Sequence, residues 1–185
     1  MKYITYLAFF ILVSEFALLL VKRSKKSSSR ERKDKGSLIL LWIAAPAGIT
    51  IAFNLADYHT WKTSQDIIAI LGCFLYAVGL AIRWTSILQL KKAFTVDVSV
   101  KKDQQLKTDG MYRFIRHPSY LGVLLVVLGL AIAMNSVLSV LVMIFTVFPA
   151  VLYRIHIEEK LLLIFFGEDY RNYQQTTKRI IPGLY

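Results

Sequence analysis

Apolar residues in this chain fall into long runs separated by short, strongly polar segments. Residues 3–21 hold one charge, Glu15; residues 38–55 hold none; residues 67–90 hold Arg83 alone. A bilayer span needs about 17–25 apolar residues at a rise of about 1.5 Å each, and these three runs meet that length. Residues 120–134 are short alone, but Asn135-Ser136 and another apolar run, 137–155, follow, with Arg154 near its end. The pair reads as a helical hairpin with its tip at Asn135-Ser136. The expected fold is an all-α integral membrane protein with five transmembrane helices, at 3–21, 38–55, 67–90, 119–134 and 137–157. Helices 4 and 5 form the hairpin, and a cytoplasmic C-terminal tail follows, all in one membrane domain. The first run is long for a signal peptide. Lys22-Arg23-Ser24-Lys25-Lys26 follows it in place of a small-residue cleavage site, so it reads as a retained helix.

Charge sharpens this picture. The 185 residues are 56% hydrophobic, yet 23 Lys+Arg stand against 12 Asp+Glu for a net charge of +11. Such a balance in a soluble chain would suggest nucleic acid. Here the cations concentrate in residues 22–36, in 91–119 and from Arg154 onward. With five helices, all three segments lie on one face. The positive-inside rule makes that face cytoplasmic and puts the N-terminus outside. The expected partners are membrane lipids, not nucleic acid. The Lys-, Arg- and Ser-rich patch 22–35 is a topology determinant or a headgroup-binding segment. Cys73 lies in an apolar run and reads as a small core hydrophobe.

Several chemistries are missing. No two of the nine glycines are spaced as G-x-G, and there is no Walker loop, H-E-x-x-H or G-x-S-x-G. Three histidines and one cysteine suggest no metal cluster. No oligomeric state follows from the sequence.

The polar chemistry concentrates from Phe94 onward. In Asp109-Gly110-Met111-Tyr112-Arg113-Phe114-Ile115-Arg116-His117-Pro118-Ser119-Tyr120, Pro118 suits the first turn of a helix. Arg116 and His117 then stand beside the free N–H groups of that helix. They form either an anion cradle or an ordinary basic flank. In Arg154-Ile155-His156-Ile157-Glu158-Glu159-Lys160, Arg154 and Glu158 share a helix face, and Glu159 lies about 100° round from Glu158. Gly167 can cap that helix, and 168–173 has helical character. Both segments sit at the cytoplasmic ends of the hairpin's two arms. A ligand between them meets a carboxylate, guanidinium groups, an imidazole and the rings of Tyr112 and Tyr120, surroundings that suit a zwitterionic cofactor with an aromatic base. Arg83, about 12 Å below the cytoplasmic end of its helix, marks a functional site by its depth. Glu15 lies at similar depth, and the two either pair or snorkel separately.

Arg116-His117-Pro118-Ser119-Tyr120, an apolar hairpin and then Glu158-Glu159 closely resemble the isoprenylcysteine carboxyl methyltransferase family and its phospholipid-methyltransferase relatives. Leu106 with Gly110-Met111-Tyr112, and Phe165-Phe166-Gly167-Glu168-Asp169-Tyr170-Arg171-Asn172-Tyr173, extend the likeness from about Arg83 to the C-terminus. The resemblance implies a membrane methyltransferase using S-adenosyl-L-methionine, with the cofactor pocket in segment 94–185. The implied cofactor-binding residues are Gln104, Gln105, Leu106, Lys107, Tyr112, Arg116, His117, Pro118, Ser119, Tyr120, Glu158 and Glu159. Gln104 stands where the family commonly has histidine, and Asp97 matches less surely because the loop length differs. The implied substrate-side catalytic residues are Arg154 and Arg83. The expected acceptor is a lipophilic small molecule or a prenylated substrate, most simply its carboxylate. The rivals are an amine such as a phospholipid headgroup, an NADPH-dependent sterol-type reductase and a non-catalytic scaffold. The expected location is the cell membrane in a prokaryote and the endoplasmic reticulum in a eukaryote.

Overall fold

The computed structural model describes residues 2–22, 35–58, 65–91, 94, 105–181 and 183. Gln104, Asp97 and most of the basic patch lie outside the described residues. Among the described residues there are six α-helices: α1 (Lys2–Lys22), α2 (Lys35–Asn54), α3 (Gln65–Leu90), α4 (Pro118–Ala133), α5 (Val137–Phe166) and α6 (Glu168–Thr176), with a 3-10 turn at Gly110–Arg113 before α4. Among the described residues the only strand-like pairing is one isolated parallel bridge, Ile115 to Lys178. Among the described residues, three stretches are long and apolar enough to cross a membrane: Gly36–Asn54, Asp66–Leu90 and Val137–Phe166. Tyr3–Leu18 and Pro118–Ala133 are apolar but shorter.

The closest packing joins α3 to α4, and four glycines explain it. A Cβ on Gly79 would stand 2.6 Å from the Val126 N, and one on Gly129 2.5 Å from the Tyr76 N. Gly72 meets Ala133, and Gly122 meets the Arg83 backbone at 2.7 Å. The pairs Gly72/Gly79 and Gly122/Gly129 are each seven apart, so they lie along one seam of each helix. Small residues let backbones touch where lipid supplies no hydrophobic drive between helices. The register runs antiparallel, and it fixes Arg83 against the first turn of α4.

α2 packs antiparallel on α5. Ser139 Oγ donates to the Ala52 carbonyl at 2.8 Å, and Ser136 Oγ to the Tyr58 carbonyl at 3.0 Å. Ser136 also caps α5 by accepting from Ser139 N–H, and Asn135 takes a positive φ of 57° at the turn out of α4. α1 runs parallel to α3, tied by the Tyr76 hydroxyl to the Leu7 carbonyl at 2.9 Å. The core lies between these helices, around Leu130, Met143, Val147 and Ile155. α5 continues past the span expected at 137–157 to Phe166. Charges at 158–160 end the apolar run without ending the helix. Gly167 (φ 57°) ends it and starts α6.

Candidate functional site

A cavity of about 190 Å³ opens where the C-terminal end of α5, the N-terminal end of α4 and α6 meet α1, α2 and the segment around Leu106. One wall is apolar, carrying Ile11 and Leu12 from α1, Trp42 and Ile49 from α2, and Val123 and Val127 from α4. The opposite end is polar, carrying Glu158, Arg116, His117, Tyr112, Tyr170 and Tyr173. A pocket graded from apolar to charged suits an amphiphilic ligand beside a polar one.

Of the expected residues, Arg83, Gln105, Leu106, Lys107, Tyr112, Arg116, His117, Ser119, Tyr120, Arg154 and Glu158 line this cavity. Pro118 and Glu159 do not, and Gln104 lies outside the described residues. Helical geometry separates the two acidic neighbours. Glu158 faces the cavity, and Glu159 turns into a buried cluster. Glu159 Oε1 lies 3.0 Å from Arg116 Nε and 3.3 Å from His117 Nε2, and its Oε2 lies 2.7 Å from Arg179 Nη2.

That cluster fastens the C-terminal tail over the polar end. Arg116 N–H donates to the Lys178 carbonyl at 2.8 Å, and His117 N–H to the Arg179 carbonyl at 3.1 Å. The Arg116 guanidinium also donates to the carbonyls of Gln174 and Thr177. The candidate anion cradle at the start of α4 is thus largely engaged by the chain itself. The main-chain N–H groups of Arg116 and His117 and the Arg116 Nη1 hold the tail, and the Arg116 Nε holds Glu159, so Arg116 presents only part of its guanidinium to the cavity. The Tyr173 hydroxyl donates to the Tyr112 carbonyl at 2.5 Å, and Tyr112 in turn donates to the Ser86 carbonyl at 3.3 Å. Burial and the neighbouring Glu158 push the Tyr112 phenol above its usual range. Burial does the same for Tyr173. Both are therefore neutral at physiological pH.

Deeper down, Arg83 and Glu15 form a two-pronged ion pair, Nη2 to Oε2 at 2.7 Å and Nε to Oε1 at 3.0 Å. Arg83 Nη1 donates to the Ser119 hydroxyl. Of the two alternatives left by the sequence, the structure has the pair. Arg154 is buried and donates to Ser37 Oγ at 3.2 Å. Among the described residues, no group of three or more His, Cys, Asp or Glu is arranged to hold a metal.

The site also includes residues outside the expected cofactor-binding and catalytic sets. Tyr170 and Tyr173 on α6 line it, as do Leu162 and Phe166, one and two turns beyond Glu158 on α5. The 3.6-residue period from Glu158 marks the latter two. Tyr170 is 1% exposed, and its hydroxyl has no hydrogen-bond partner among the described residues.

The family model for phospholipid methyltransferases matches residues 67–169, more than half of the sequence. The chain belongs to the phospholipid methyltransferase family. Within reach of that family lie protein-S-isoprenylcysteine O-methyltransferases. The Schizosaccharomyces pombe protein is 33% identical over 57% of this chain and 45% of its own length. The Saccharomyces cerevisiae protein is 30% identical over 66% and 52%. A solved structure of the eukaryotic intramembrane Ras methyltransferase, isoprenylcysteine carboxyl methyltransferase, superposes with a TM-score of 0.61 at 28% identity, covering 77% of this chain and 52% of that one. The chain spans about half the length of the curated relatives it matches. The matched region carries α3, the α4–α5 pair and Glu158; α1 and α2 precede it.

Proposed function

We propose that this protein is a five-span membrane enzyme, cytoplasmic at the end where the cavity's polar groups lie, that methylates the carboxylate of a lipid-like or lipid-attached acceptor. S-adenosyl-L-methionine is the proposed methyl donor. The observation that carries this reading is a single cavity with both halves such a reaction needs. An apolar wall between α1, α2 and α4 adjoins a polar end with a carboxylate, aromatic rings and guanidinium groups.

The residues present fit that cofactor. Glu158 supplies a carboxylate for its ammonium or ribose hydroxyls, Tyr112 and Tyr120 offer aromatic faces, and the Arg116 edge offers positive charge. The orphaned, buried Tyr170 hydroxyl supplies a polar group that a ligand can satisfy. When bound, S-adenosyl-L-methionine supplies an electrophilic methyl group on a sulfonium.

An acceptor carboxylate is ionised at neutral pH, so the protein needs no strong base. Its contribution is orientation and exclusion of water. Arg154, buried below Glu158 on the same helix face, is placed to orient the acceptor carboxylate. α6 and the tail close the polar end through Tyr170 and Tyr173. The apolar wall receives the lipid chain. His117 holds the Glu159 cluster and is assigned no proton transfer.

The test is thermal unfolding in detergent. S-adenosylhomocysteine should raise the melting temperature and NADPH should not. Glu158→Ala should abolish the shift while leaving the unliganded melting temperature within a few degrees. A shift with NADPH, or an undiminished shift in Glu158→Ala, would overturn the assignment.

A further inference from the structure

Among the described residues of α1, Ile4, Ala8, Ile11 and Leu18 are the buried apolar ones. Their spacing describes one stripe, and Glu15 falls on it, four after Ile11 and three before Leu18. Its carboxylate therefore points into the bundle at membrane depth, where an unpaired charge is costly. It is held there by Arg83 in the two-pronged geometry by which arginine binds carboxylates. Arg83 Nη1 is engaged by the Ser119 hydroxyl and carbonyl. Most of the guanidinium's donors are thus in use before any acceptor arrives. Both Glu15 and Arg83 line the cavity, beside Ser119 and Tyr120. A purely structural tie between α1 and α3 has no need of that position.

We propose that Glu15 is an internal stand-in for the acceptor carboxylate. It occupies Arg83 in the resting protein, is displaced when an acidic acceptor binds, and so determines how strongly the site distinguishes an acid from its neutral ester. This rests on the carboxylate reading above. The exchange follows from charge. Two carboxylates cannot share one arginine at close range in a low-dielectric site without mutual repulsion, so the acceptor must replace Glu15 rather than join it. The reaction then reverses the exchange. Methylation turns an anion into a neutral ester that no longer competes for Arg83. Glu15 returns to the guanidinium and favours product release. α1, packed by a single narrow stripe, is the element that yields. Glu15 lies before the region matched by the family model.

The test compares binding of an N-acetylated S-prenyl cysteine with that of its methyl ester. Binding is read by quenching of tryptophan fluorescence with saturating S-adenosylhomocysteine present. Trp42 lines the cavity and reports occupancy. Glu15→Gln should tighten the acid about tenfold and leave the ester within about twofold, because arginine stays charged when its partner is removed. The neutral double variant Glu15→Gln/Arg83→Gln removes both charges and guards against misfolding of the single one. It should bind the acid more weakly than wild type and the ester equally well. An acid affinity in Glu15→Gln that is unchanged or weaker, or a double variant that binds the acid as wild type does, overturns the exchange alone. If wild type binds S-adenosylhomocysteine but neither the acid nor the ester, the exchange and the carboxylate reading fall together.

Discussion

Replacing Glu159 tests whether the tail is held as described. One carboxylate there is shared by Arg116, His117 and Arg179 at 2.7–3.3 Å, and its side chain is 5% exposed. Removing one partner of a buried ion pair costs about 3–5 kcal/mol, because the other charge stays buried. Arg116 keeps its carbonyl acceptors at Gln174 and Thr177, and Arg179 is partly exposed, so the lower end applies. At about 2–4 °C per kcal/mol for a chain of this size, Glu159→Ala should lower the melting temperature by about 6–12 °C. Trypsin should also cut sooner at Lys178 and Arg179. The control is Glu168→Ala, which removes the exposed Glu168–Arg171 pair on α6. An exposed pair contributes about 0–1 kcal/mol, so this variant should melt within a few degrees of wild type. Equal shifts in the two variants would refute the clamp. A large shift in Glu159→Ala without faster cleavage would place the carboxylate's role elsewhere than the tail.

Tyr170→Phe separates ligand binding from folding. Removing a buried hydroxyl that lacks a partner should leave the unliganded melting temperature unchanged or raised. It should also weaken S-adenosylhomocysteine about five- to a hundredfold by isothermal titration, if that hydroxyl gains its partner from the ligand. A destabilised protein with unchanged affinity would contradict this. Gly129→Ala places a methyl 2.5 Å from the Tyr76 N and 2.6 Å from the Gly72 carbonyl oxygen. It should cost about 1–3 kcal/mol by overpacking, seen as a lower melting temperature. Gly36→Ala, with open space around the added methyl, should stabilise by up to about 0.4–1 kcal/mol.

The helices were legible because each is a long apolar run: Gly36–Asn54, Asp66–Leu90 and Val137–Phe166 are long and apolar enough to cross a membrane, and Tyr3–Leu18 and Pro118–Ala133 are apolar but shorter. The structure's helices fall on those runs because a buried backbone must satisfy its own hydrogen bonds. Glu158 was legible because its spacing from Arg154 places both on one helix face. That Glu159, expected beside it as a further cofactor contact, turns away from the cavity was not. Their 100° separation tells that they differ, and only the positions of Arg116, His117 and Arg179 decide which is which. The closure of the cradle by the tail was likewise hidden. It depends on pairing Arg116 and His117 with Lys178 and Arg179, more than sixty residues away, and no local pattern encodes such a pairing. The glycine seam was present in the sequence as two pairs spaced by seven, Gly72/Gly79 and Gly122/Gly129. Its meaning emerges when the antiparallel register of α3 and α4 brings the pairs together. Glu15 stood on a readable stripe from Ile4 to Leu18, and its depth matched that of Arg83. The two-pronged contact required the helices to be placed.

The central claim is transfer of a methyl group to a lipid-borne carboxylate, and the form of the labelled product tests it. The purified protein in lipid vesicles is given methyl-labelled S-adenosyl-L-methionine together with an S-prenyl cysteine acid and phosphatidylethanolamine. The extracted lipid is then treated with base. A carboxyl methyl ester releases its label as volatile methanol, whereas an N-methyl group keeps it. Label that is volatile after base and absent when the acid is omitted is the predicted result; base-stable label in the phospholipid, or no transfer to either acceptor, would contradict the account.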